Sequence, residues 1–250
     1  MASSNHPLGI DIGGSGVKGA PVDLSTGQFA ADRKRIPTPQ PSTPEAVADV
    51  VVEIAKHFGG KSDAPVGVTV PAVVIRGQAR TAANIDSSWI GTDAQKLLSE
   101  RLGRRAVVVN DADAAGVGEL HYGAARNVDG LVLLATLGTG IGSALLHRGV
   151  LIPNSELGHL EIDGADAETR AADSARDRED LSFEQWAARL QTYFAHVEDL
   201  LSPDLIVIGG GVSKHADKYL PLLHLRAPIV PALLGNAAGI VGAAWLAAQA

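Results

Sequence analysis

Two segments of this sequence share one pattern, in which a short apolar run, a glycine-rich turn and a second apolar run follow one another. In the first segment, residues 8–12 precede a turn at residues 13–16, and residues 17–22 follow it. In the second segment, residues 131–136 and 142–147 flank a turn of the same kind. Apolar runs separated by a glycine turn predict β-hairpins. The recurrence of the pattern predicts two related lobes.

The rest of the sequence predicts alternating strands and helices, which is typical of the α/β class with mixed sheets. The expected elements are a strand at 29–36, a helix at 44–58 that stops at Gly59 and Gly60, a strand at 66–70, a helix at 92–102, a strand at 106–109, a helix at 111–122, a strand at 149–152, a helix after the capping-box sequence at 182–185, a strand at 205–208 and a helix at 236–248. The charge-dense residues 163–180 predict a solvated loop or irregular insert.

Composition and charge exclude several classes of protein. The 28 acidic residues outnumber the 21 basic ones, and the net charge of −7 disfavours nucleic acid and anionic membranes as partners. No apolar run reaches the roughly 18 residues that a membrane span needs, and residues 1–7 lack the pattern of a signal peptide. The absence of cysteine excludes disulfides and cysteine-containing zinc sites, and it is consistent with a cytoplasmic location.

Three glycine-rich turns are candidate phosphate-binding sites, because glycine lets backbone N–H groups approach an anion closely. In the first turn, Asp11 can order a metal ion or its waters, and Lys18 can meet a phosphate. A tight hairpin with a solvated lysine is the structural alternative. The candidate phosphate or nucleotide ligands are Asp11, Gly13, Gly14, Ser15, Gly16, Lys18, Gly138, Thr139, Gly140, Gly209, Gly210 and Gly211.

Further polar residues follow predicted strands or lie in loops. Asp111 follows a buried strand and opens a helix, where a carboxylate can act as general base for a hydroxyl. Helix capping by Asn110 or Asp111 is the alternative. Glu156 and His159 flank a glycine, and their side chains can converge on the hydroxyls of one polyol. Asn84 lies in a loop, and its spacing alone indicates little.

Together and in this order, these motifs resemble the ROK family of sugar kinases and repressors. The resemblance covers nearly the whole chain and is strongest to the polyphosphate glucokinase branch. Residues 69–74, residues 83–86 ahead of Trp89, and residues 174–176 carry the likeness to that branch. It implies the two-lobed actin–hexokinase–Hsp70 (ribonuclease H-like) fold with a cleft between the lobes. The implied lobes are a smaller one of residues 1–112 and 236–250, and a larger one of residues 113–235.

The resemblance also implies a function and a site. The implied reaction transfers a phosphoryl group from polyphosphate or ATP to the 6-hydroxyl of glucose, with Mg²⁺ accompanying the donor and Asp11 as its indirect ligand. Asp111 would take the hydroxyl proton, and both of the first two glycine turns would hold the donor phosphates. A cytoplasmic homodimer is implied. The implied sugar ligands are Asn84, Asn110, Asp111, Glu156, His159 and Glu168.

One departure from the family pattern concerns zinc. Many ROK members carry a cysteine-rich zinc motif after the Glu-x-Gly-His segment, whereas this chain has no cysteine. The zinc role of His159 therefore does not carry over, and no zinc is expected. The polyphosphate glucokinases of the family also lack these zinc cysteines. What orients the His159 ring in the absence of zinc is left open.

Polyphosphate as donor would require a local basic surface on this acidic chain, although a solvated surface charge is the favoured interpretation of any single candidate residue. The candidates are Lys18, Arg33, Lys34, Arg35, Arg76, Arg104 and Arg105. Three alternatives remain open: a ROK kinase for another hexose, a sugar-responsive repressor and a non-catalytic sugar-binding protein. The first glycine turn begins too early for a preceding DNA-binding domain, and the intact Asp11 and Asp111 favour catalysis.

Overall fold

A computed structural model describes residues 6–59 and 64–250. The strands are β1 Leu8–Gly13, β2 Gly16–Asp23, β3 Gln28–Phe29, β4 Lys34–Ile36, β5 Val66–Val70, β6 Val74–Ile75, β7 Gln78–Ala79, β8 Ala106–Asn110, β9 Leu131–Leu137, β10 Ile141–His147, β11 Val150–Ile152, β12 Glu161–Ile162, β13 Ala165–Asp166, β14 Leu205–Gly209 and β15 Ile229–Pro231. The α-helices are α1 Pro44–His57, α2 Ala94–Leu102, α3 Asp111–Tyr122, α4 Glu168–Ala171, α5 Asp173–Arg178, α6 Phe183–Leu201 and α7 Ala238–Ala248.

The chain divides into two compact units. Unit 1 holds residues 1–118 and 237–250, and unit 2 holds residues 119–236. The chain leaves unit 1 within α3 and returns to it just before α7. By residue number the N-terminal unit is the larger, whereas the resemblance implied a smaller N-terminal lobe.

The sheet of unit 1 has the strand order β3-β2-β1-β5-β8, and β4 also pairs with β2. The hairpin of β1 and β2 is antiparallel, with Asp11 opposite Lys18, while β5 and β8 extend the sheet in parallel. Every residue of β5 is buried. A strand with parallel neighbours is covered on both faces, so it consists of consecutive apolar residues rather than an alternating pattern.

Helix α7 packs against this sheet through glycines. A Cβ on Gly9 would overlap the carbonyl of Ile240, and a Cβ on Gly67 would overlap the carbonyl of Ala243. The strands therefore need glycine at these positions because the helix backbone lies directly on them. The Ala-rich sequence of α7 provides the matching small surface.

The sheet of unit 2 has the order β11-β10-β9-β14-β15. Its β9–β10 hairpin is antiparallel, and β14 and β15 extend it in parallel. The two sheets thus share one strand order and one sequence of antiparallel and parallel pairings. The α/β class and both glycine hairpins are confirmed.

Residues 163–180 are not the solvated loop that their charge predicted. They contain β13, α4 and α5, and four of their alanines are buried, namely Ala167, Ala171, Ala172 and Ala175. Trp186 of α6 packs in the same core and donates its Nε1–H to the carbonyl of Ala171 at 3.0 Å. The prediction was wrong because the charged residues pair with one another locally, while the buried face consists of alanine, which contributes little apolar signal.

The other expected elements are confirmed with small shifts. Thr43 caps α1, and Ser182 and Gln185 form the predicted capping box of α6. The single strand expected at 29–36 is instead two short strands, β3 and β4, and α7 begins two residues late. Gly60, part of the expected stop of α1, and residues 1–5, part of the N-terminal segment, lie outside the described residues. Across the described ranges, no helix has both the length and the apolar character needed to span a membrane.

Candidate active site

The first glycine turn joins β1 to β2 in unit 1 and is held by three neighbouring segments. Thr38 Oγ1 donates to the carbonyl of Gly13 at 2.5 Å, and Arg35 Nη2 donates to the carbonyl of Ser15 at 2.9 Å. A Cβ on Gly14 would lie 2.9 Å from the carbonyl oxygen of Asn84. Asn84 has a positive φ of 60° and is exposed beside this turn. The sequence motif around Asn84 therefore lies next to the predicted phosphate turn.

Asp11 lies near the end of β1, beside this turn. Its Oδ1 accepts a hydrogen bond from Thr69 Oγ1 at 2.8 Å, and its Oδ2 lies 3.6 Å from Lys18 Nζ. Thr69 is completely buried, so it holds the Asp11 carboxylate from the interior of the protein. The Asp11 side chain itself stays 21% exposed. Thr69 was quoted only for its resemblance, and its role in holding Asp11 was not predicted.

Asn110 and Asp111 lie at the junction of β8 and α3, at the carboxyl end of the parallel strands. Asn110 is buried: its Oδ1 accepts from the N–H of Asp113 at 3.0 Å, and its Nδ2 donates to the carbonyl of Ala72 at 3.1 Å. Asn110 therefore caps α3, which is the structural alternative considered above. Asp111 is partly exposed, and its Oδ1 accepts from the N–H of Ala112 at 2.9 Å. A sugar contact by either residue stays a prediction.

The second glycine turn joins β9 to β10 in unit 2 and is held by the segment that contains α4 and α5. Glu168 Oε2 accepts from the N–H of Ile141 at 2.8 Å, and a Cβ on Gly140 would overlap that carboxylate. The N–H of Ser174 donates to the carbonyl of Gly138 at 3.0 Å, and Ser174 Oγ donates to the carbonyl of Thr139 at 2.6 Å. These bonds hold Gly138, Thr139 and Ile141, while the Glu168 carboxylate lies against Gly140.

The third glycine turn lies beside the second. Gly210 has a positive φ of 85°, and a Cβ there would overlap the backbone of Leu137. Ser213 Oγ donates to the carbonyl of Gly210 at 2.8 Å. Glycine is thus required at residue 210 both by its conformation and by the closeness of the strand that ends at the second turn.

Glu156 and His159 lie in a 3₁₀ turn that packs against β10. A Cβ on Gly158 would overlap the carbonyl of Ile141, which explains the glycine between the two polar residues. Buried Ser143 of β10 anchors the same segment, because its Oγ donates to the carbonyl of Ser155 at 2.7 Å and accepts from the N–H of Leu157 at 3.0 Å. Glu156 Oε2 then lies 3.7 Å from His159 Nε2.

The pKa values of this pair are displaced from their ordinary range. The hydrogen bond that the Asp166 carboxylate accepts is the main cause that raises the pKa of His159, and the charges of Glu168, Asp166 and Glu156 add to it. Partial burial raises the pKa of Glu156, against the effect of His159. Both raised pKa values favour a bound proton on His159 or Glu156. The imidazole and the carboxyl group can therefore donate hydrogen bonds to hydroxyls as well as accept them.

Three contributors were missed by the sequence reasoning. Ser143 gave no signal, because a lone serine fits any polar position. Ser174 was named only as part of the family resemblance, and its role in holding the second turn was not predicted. Asp166 had a detectable signal: the Asp163–Gly164 pair precedes it, both residues have positive φ, and β12 and β13 flank them. Such a pair is a strong marker of a two-residue hairpin turn.

Comparison with known proteins agrees with this reading of the chain. The model of the ROK family matches residues 7–175. A polyphosphate glucokinase of Mycobacterium tuberculosis (strain CDC 1551 / Oshkosh) is 52% identical over 243 residues, which are 97% of this chain and 91% of that protein. The crystal structure of an inorganic polyphosphate/ATP-glucomannokinase from Arthrobacter sp. strain KM superposes with a TM-score of 0.93 at 54% identity, covering 98% of both chains.

A more distant solved structure agrees in fold. The ROK family glucokinase from Streptomyces griseus, in complex with glucose and AMPPNP, has a TM-score of 0.84 at 24% identity and covers 98% of this chain. The family match spans more than half of the sequence, and the mycobacterial relative is aligned over almost its full length. This chain therefore belongs to the ROK family.

Proposed function

We propose that this chain is a polyphosphate glucokinase, which transfers a phosphoryl group from polyphosphate or ATP to the 6-hydroxyl of glucose. The observation that carries the proposal is the 52% identity to the mycobacterial polyphosphate glucokinase over 97% of the chain. The chemistry of the described residues supports it: each unit contains a glycine turn suited to phosphate, and Asp111 offers a partly exposed carboxylate.

Asp111 acts as the general base in the proposed mechanism. It accepts the proton of the 6-hydroxyl as the oxygen attacks the terminal phosphorus and the bond to the departing phosphate breaks. Because the transition state of phosphoryl transfer is loose, most of the rate gain comes from positioning and from neutralising charge. The bond from the N–H of Ala112 to Oδ1 restrains the carboxylate.

The proposed glucose ligands are the polar residues that the resemblance implied. In unit 1 the ligands are Asn84, Asp111 and the remaining Nδ2 hydrogen of Asn110. In unit 2 they are Glu156 and His159, together with the Glu168 oxygen that the Ile141 N–H does not occupy. Carboxylates, amides and imidazole are suited to a polyol, because they accept and donate hydrogen bonds to hydroxyls.

Mg²⁺ is proposed to accompany the donor, with Asp11 as its indirect ligand. Mg²⁺ keeps several waters and binds one or two carboxylates together with substrate phosphates, so a single partly exposed carboxylate suits it. Thr69 fixes this carboxylate, and Lys18 adds a positive charge beside it. The ion would neutralise phosphate charge. No zinc role is proposed, because the chain has no cysteine.

The first test is the formation of glucose 6-phosphate with Mg²⁺, using long-chain polyphosphate and ATP in parallel. We expect product with polyphosphate. Product with ATP alone would leave a sugar kinase and remove polyphosphate from the proposal. Mannose belongs in the same assay, because the Arthrobacter relative is a glucomannokinase. No product from either donor with either hexose would contradict the proposal and favour another hexose or a non-catalytic binding protein.

Three of the basic candidates suit a polyphosphate chain better than the others. Arg35 bonds to the Ser15 carbonyl in the first glycine turn, and it lies opposite Lys18 across the β2–β4 pair. Arg33 precedes Arg35 by two residues and is exposed. By contrast, Arg104 and Arg105 precede β8, and Asp111 follows it, so they lie at opposite ends of a five-residue strand. We propose Lys18, Arg33 and Arg35 as the polyphosphate contacts.

Ionic strength should affect the binding of polyphosphate but not the binding of glucose. Counterions compete with each phosphate contact, so KM for long-chain polyphosphate should rise steeply with ionic strength while KM for glucose stays constant. Arg33→Gln should reduce this salt dependence and raise KM for polyphosphate about three- to tenfold, as expected for one lost ionic contact. Arg105→Gln, an exposed charge of the same unit, is the control. A KM for polyphosphate that does not change with salt would contradict the basic surface.

The proposal extends to a homodimer in the cytoplasm, without nucleic-acid or membrane partners. The net charge of −7 is unsuited to both polyanionic surfaces. The lack of cysteine is consistent with a reducing compartment. Light scattering on the purified protein tests the dimer: a mass near twice 25.8 kDa supports it, and a mass near 25.8 kDa contradicts it.

A further inference from the structure

His159 is held by a side chain of the hairpin that follows it in the sequence. Its Nδ1 lies 2.8 Å from Asp166 Oδ2. The β12–β13 hairpin turns at Asp163 and Gly164 and brings Asp166 opposite Glu161, back beside the 3₁₀ turn. Two further bonds fix Asp166 itself: its Oδ1 accepts from the N–H of Glu168 at 3.3 Å, and its carbonyl accepts from Thr169 Oγ1 at 2.6 Å.

We propose that Asp166 is a positioning residue for sugar binding, which fixes both the ring orientation and the tautomer of His159. This inference rests on the proposed function, in which His159 contacts glucose. A carboxylate only accepts hydrogen bonds, so Asp166 requires the proton of neutral His159 to be on Nδ1. Nε2 then presents a lone pair to a sugar hydroxyl. Without Asp166 the ring could rotate and its proton could move to Nε2, which would remove that acceptor.

The geometry indicates a direct hydrogen bond rather than two ligands of one metal ion. His159, Asp166 and Glu168 could in principle surround an ion, because one atom of each lies within 4.8 Å of the others. However, two ligands of a tetrahedral zinc ion with bonds of about 2.0 Å lie about 3.3 Å apart. The observed 2.8 Å is instead the length of a charge-assisted hydrogen bond. Asp166 thus replaces a metal in orienting the ring.

The charges around the ring come from two segments. Glu156 lies on the 3₁₀ turn of His159 itself, and Asp166 and Glu168 lie on the hairpin and on the first residue of α4. All three raise the pKa of His159. Of these three groups, only Asp166 lies within hydrogen-bond distance of the ring, since Glu156 Oε2 is 3.7 Å from Nε2. Removal of the Asp166 carboxylate should therefore have an effect that removal of Glu156 or Glu168 does not reproduce.

The experiment compares Asp166→Asn with Thr169→Val. Asparagine retains an acceptor for the N–H of Glu168, but it binds Nδ1–H less strongly and can donate to Nδ1 instead. We expect KM for glucose to rise about tenfold with kcat changed less than about threefold, because a ligand that binds the ground and transition states equally affects KM. Thr169→Val removes only the bond to the main-chain carbonyl of Asp166. It leaves the Asp166 carboxylate bonded to His159 and to the N–H of Glu168, so KM should stay unchanged. Asp166→Glu should restore part of the loss.

A second readout follows the tautomer directly. Nitrogen-15 NMR of the imidazole rings, measured above the raised pKa of His159, should show protonated Nδ1 in the native protein and protonated Nε2 in a substantial fraction of Asp166→Asn. His159→Gln identifies the signal among the eight histidines. This measurement requires no turnover, so it separates failure of the inference from failure of the proposed function.

Each outcome decides the inference. A shift in both the tautomer and KM supports it. An unchanged tautomer overturns it, and so does a shifted tautomer with an unchanged KM in an enzyme that phosphorylates glucose. Stoichiometric zinc in the purified protein, with a KM for glucose that rises on its removal, would also overturn it. If the native protein phosphorylates neither glucose nor mannose, the proposed function fails, and with it the role in sugar binding.

Discussion

Asp111→Asn should lower kcat for glucose phosphorylation by about 10²- to 10⁴-fold, the usual cost of losing a general base. The amide cannot take the proton of the 6-hydroxyl. Its oxygen can still accept the N–H of Ala112, so the start of α3 should stay intact. Glucose affinity should change less than about threefold, because the amide still bonds to a hydroxyl. Steady-state kinetics with saturating polyphosphate give kcat, and calorimetry without donor gives the affinity.

Asp93→Asn is the matched control for this prediction. Asp93 lies at the start of another helix of unit 1, as the residue before α2, and its Oδ1 accepts from the N–H of Lys96 at 2.9 Å. The same chemical change at the start of α2 should leave kcat within about twofold, because most surface substitutions have small effects. A native kcat for Asp111→Asn would show that another group removes the proton.

Glu119→Ala should lower the free energy of unfolding by about 2–4 kcal/mol. Glu119 is completely buried in unit 2, and its carboxylate accepts from the N–H groups of Ala124, Leu233 and Leu234 at 2.7, 3.1 and 2.7 Å. Alanine leaves these three donors without that acceptor. Ala124 and Leu234 are partly buried, whereas Leu233 is exposed and its N–H can turn to water. A donor that loses its partner away from water costs about 1–3 kcal/mol. Denaturant titration followed by tryptophan fluorescence measures the loss.

Glu100→Ala provides the comparison for Glu119. Glu100 lies on α2 with its side chain 65% exposed, and it forms only a surface ion pair with Lys96 at 4.0 Å. Such pairs contribute about 0–1 kcal/mol, so this variant should unfold close to the native midpoint. Equal midpoints for Glu119→Ala and Glu100→Ala would show that the segment around Leu233 does not depend on Glu119.

The sequence predicted those parts of the fold that depend on local signals. The hairpins have glycine turns between apolar runs, α1 has Thr43 as its cap, and α6 has a capping box. Residues 163–180 were predicted wrongly because their stability depends on contacts distant in sequence, such as the bond from Trp186 to the carbonyl of Ala171. Alanine packing under a charged surface has no periodic signal that would reveal it.

The candidate site divides in the same way. Glycine turns and polar residues at strand ends could be identified because each carries its own local pattern. Residues that hold them could not, since Thr69, Ser143 and Ser174 act only through partners that the fold brings near. Asn110 fits both interpretations of its position: in the structure its amide caps α3 and bonds to Ala72, and its contact with the sugar stays a prediction.

The return of the chain to unit 1 at α7 has a consequence for synthesis on the ribosome. Helix α7 lies against Gly9 and Gly67, but it is translated after all of unit 2. Domains usually fold in the order in which they emerge, the N-terminal one first. Here unit 2 is complete while β1 and β5 still lack the helix that covers them. The nascent chain must therefore keep an apolar sheet surface uncovered, and open to chaperones, until residues 238–248 emerge.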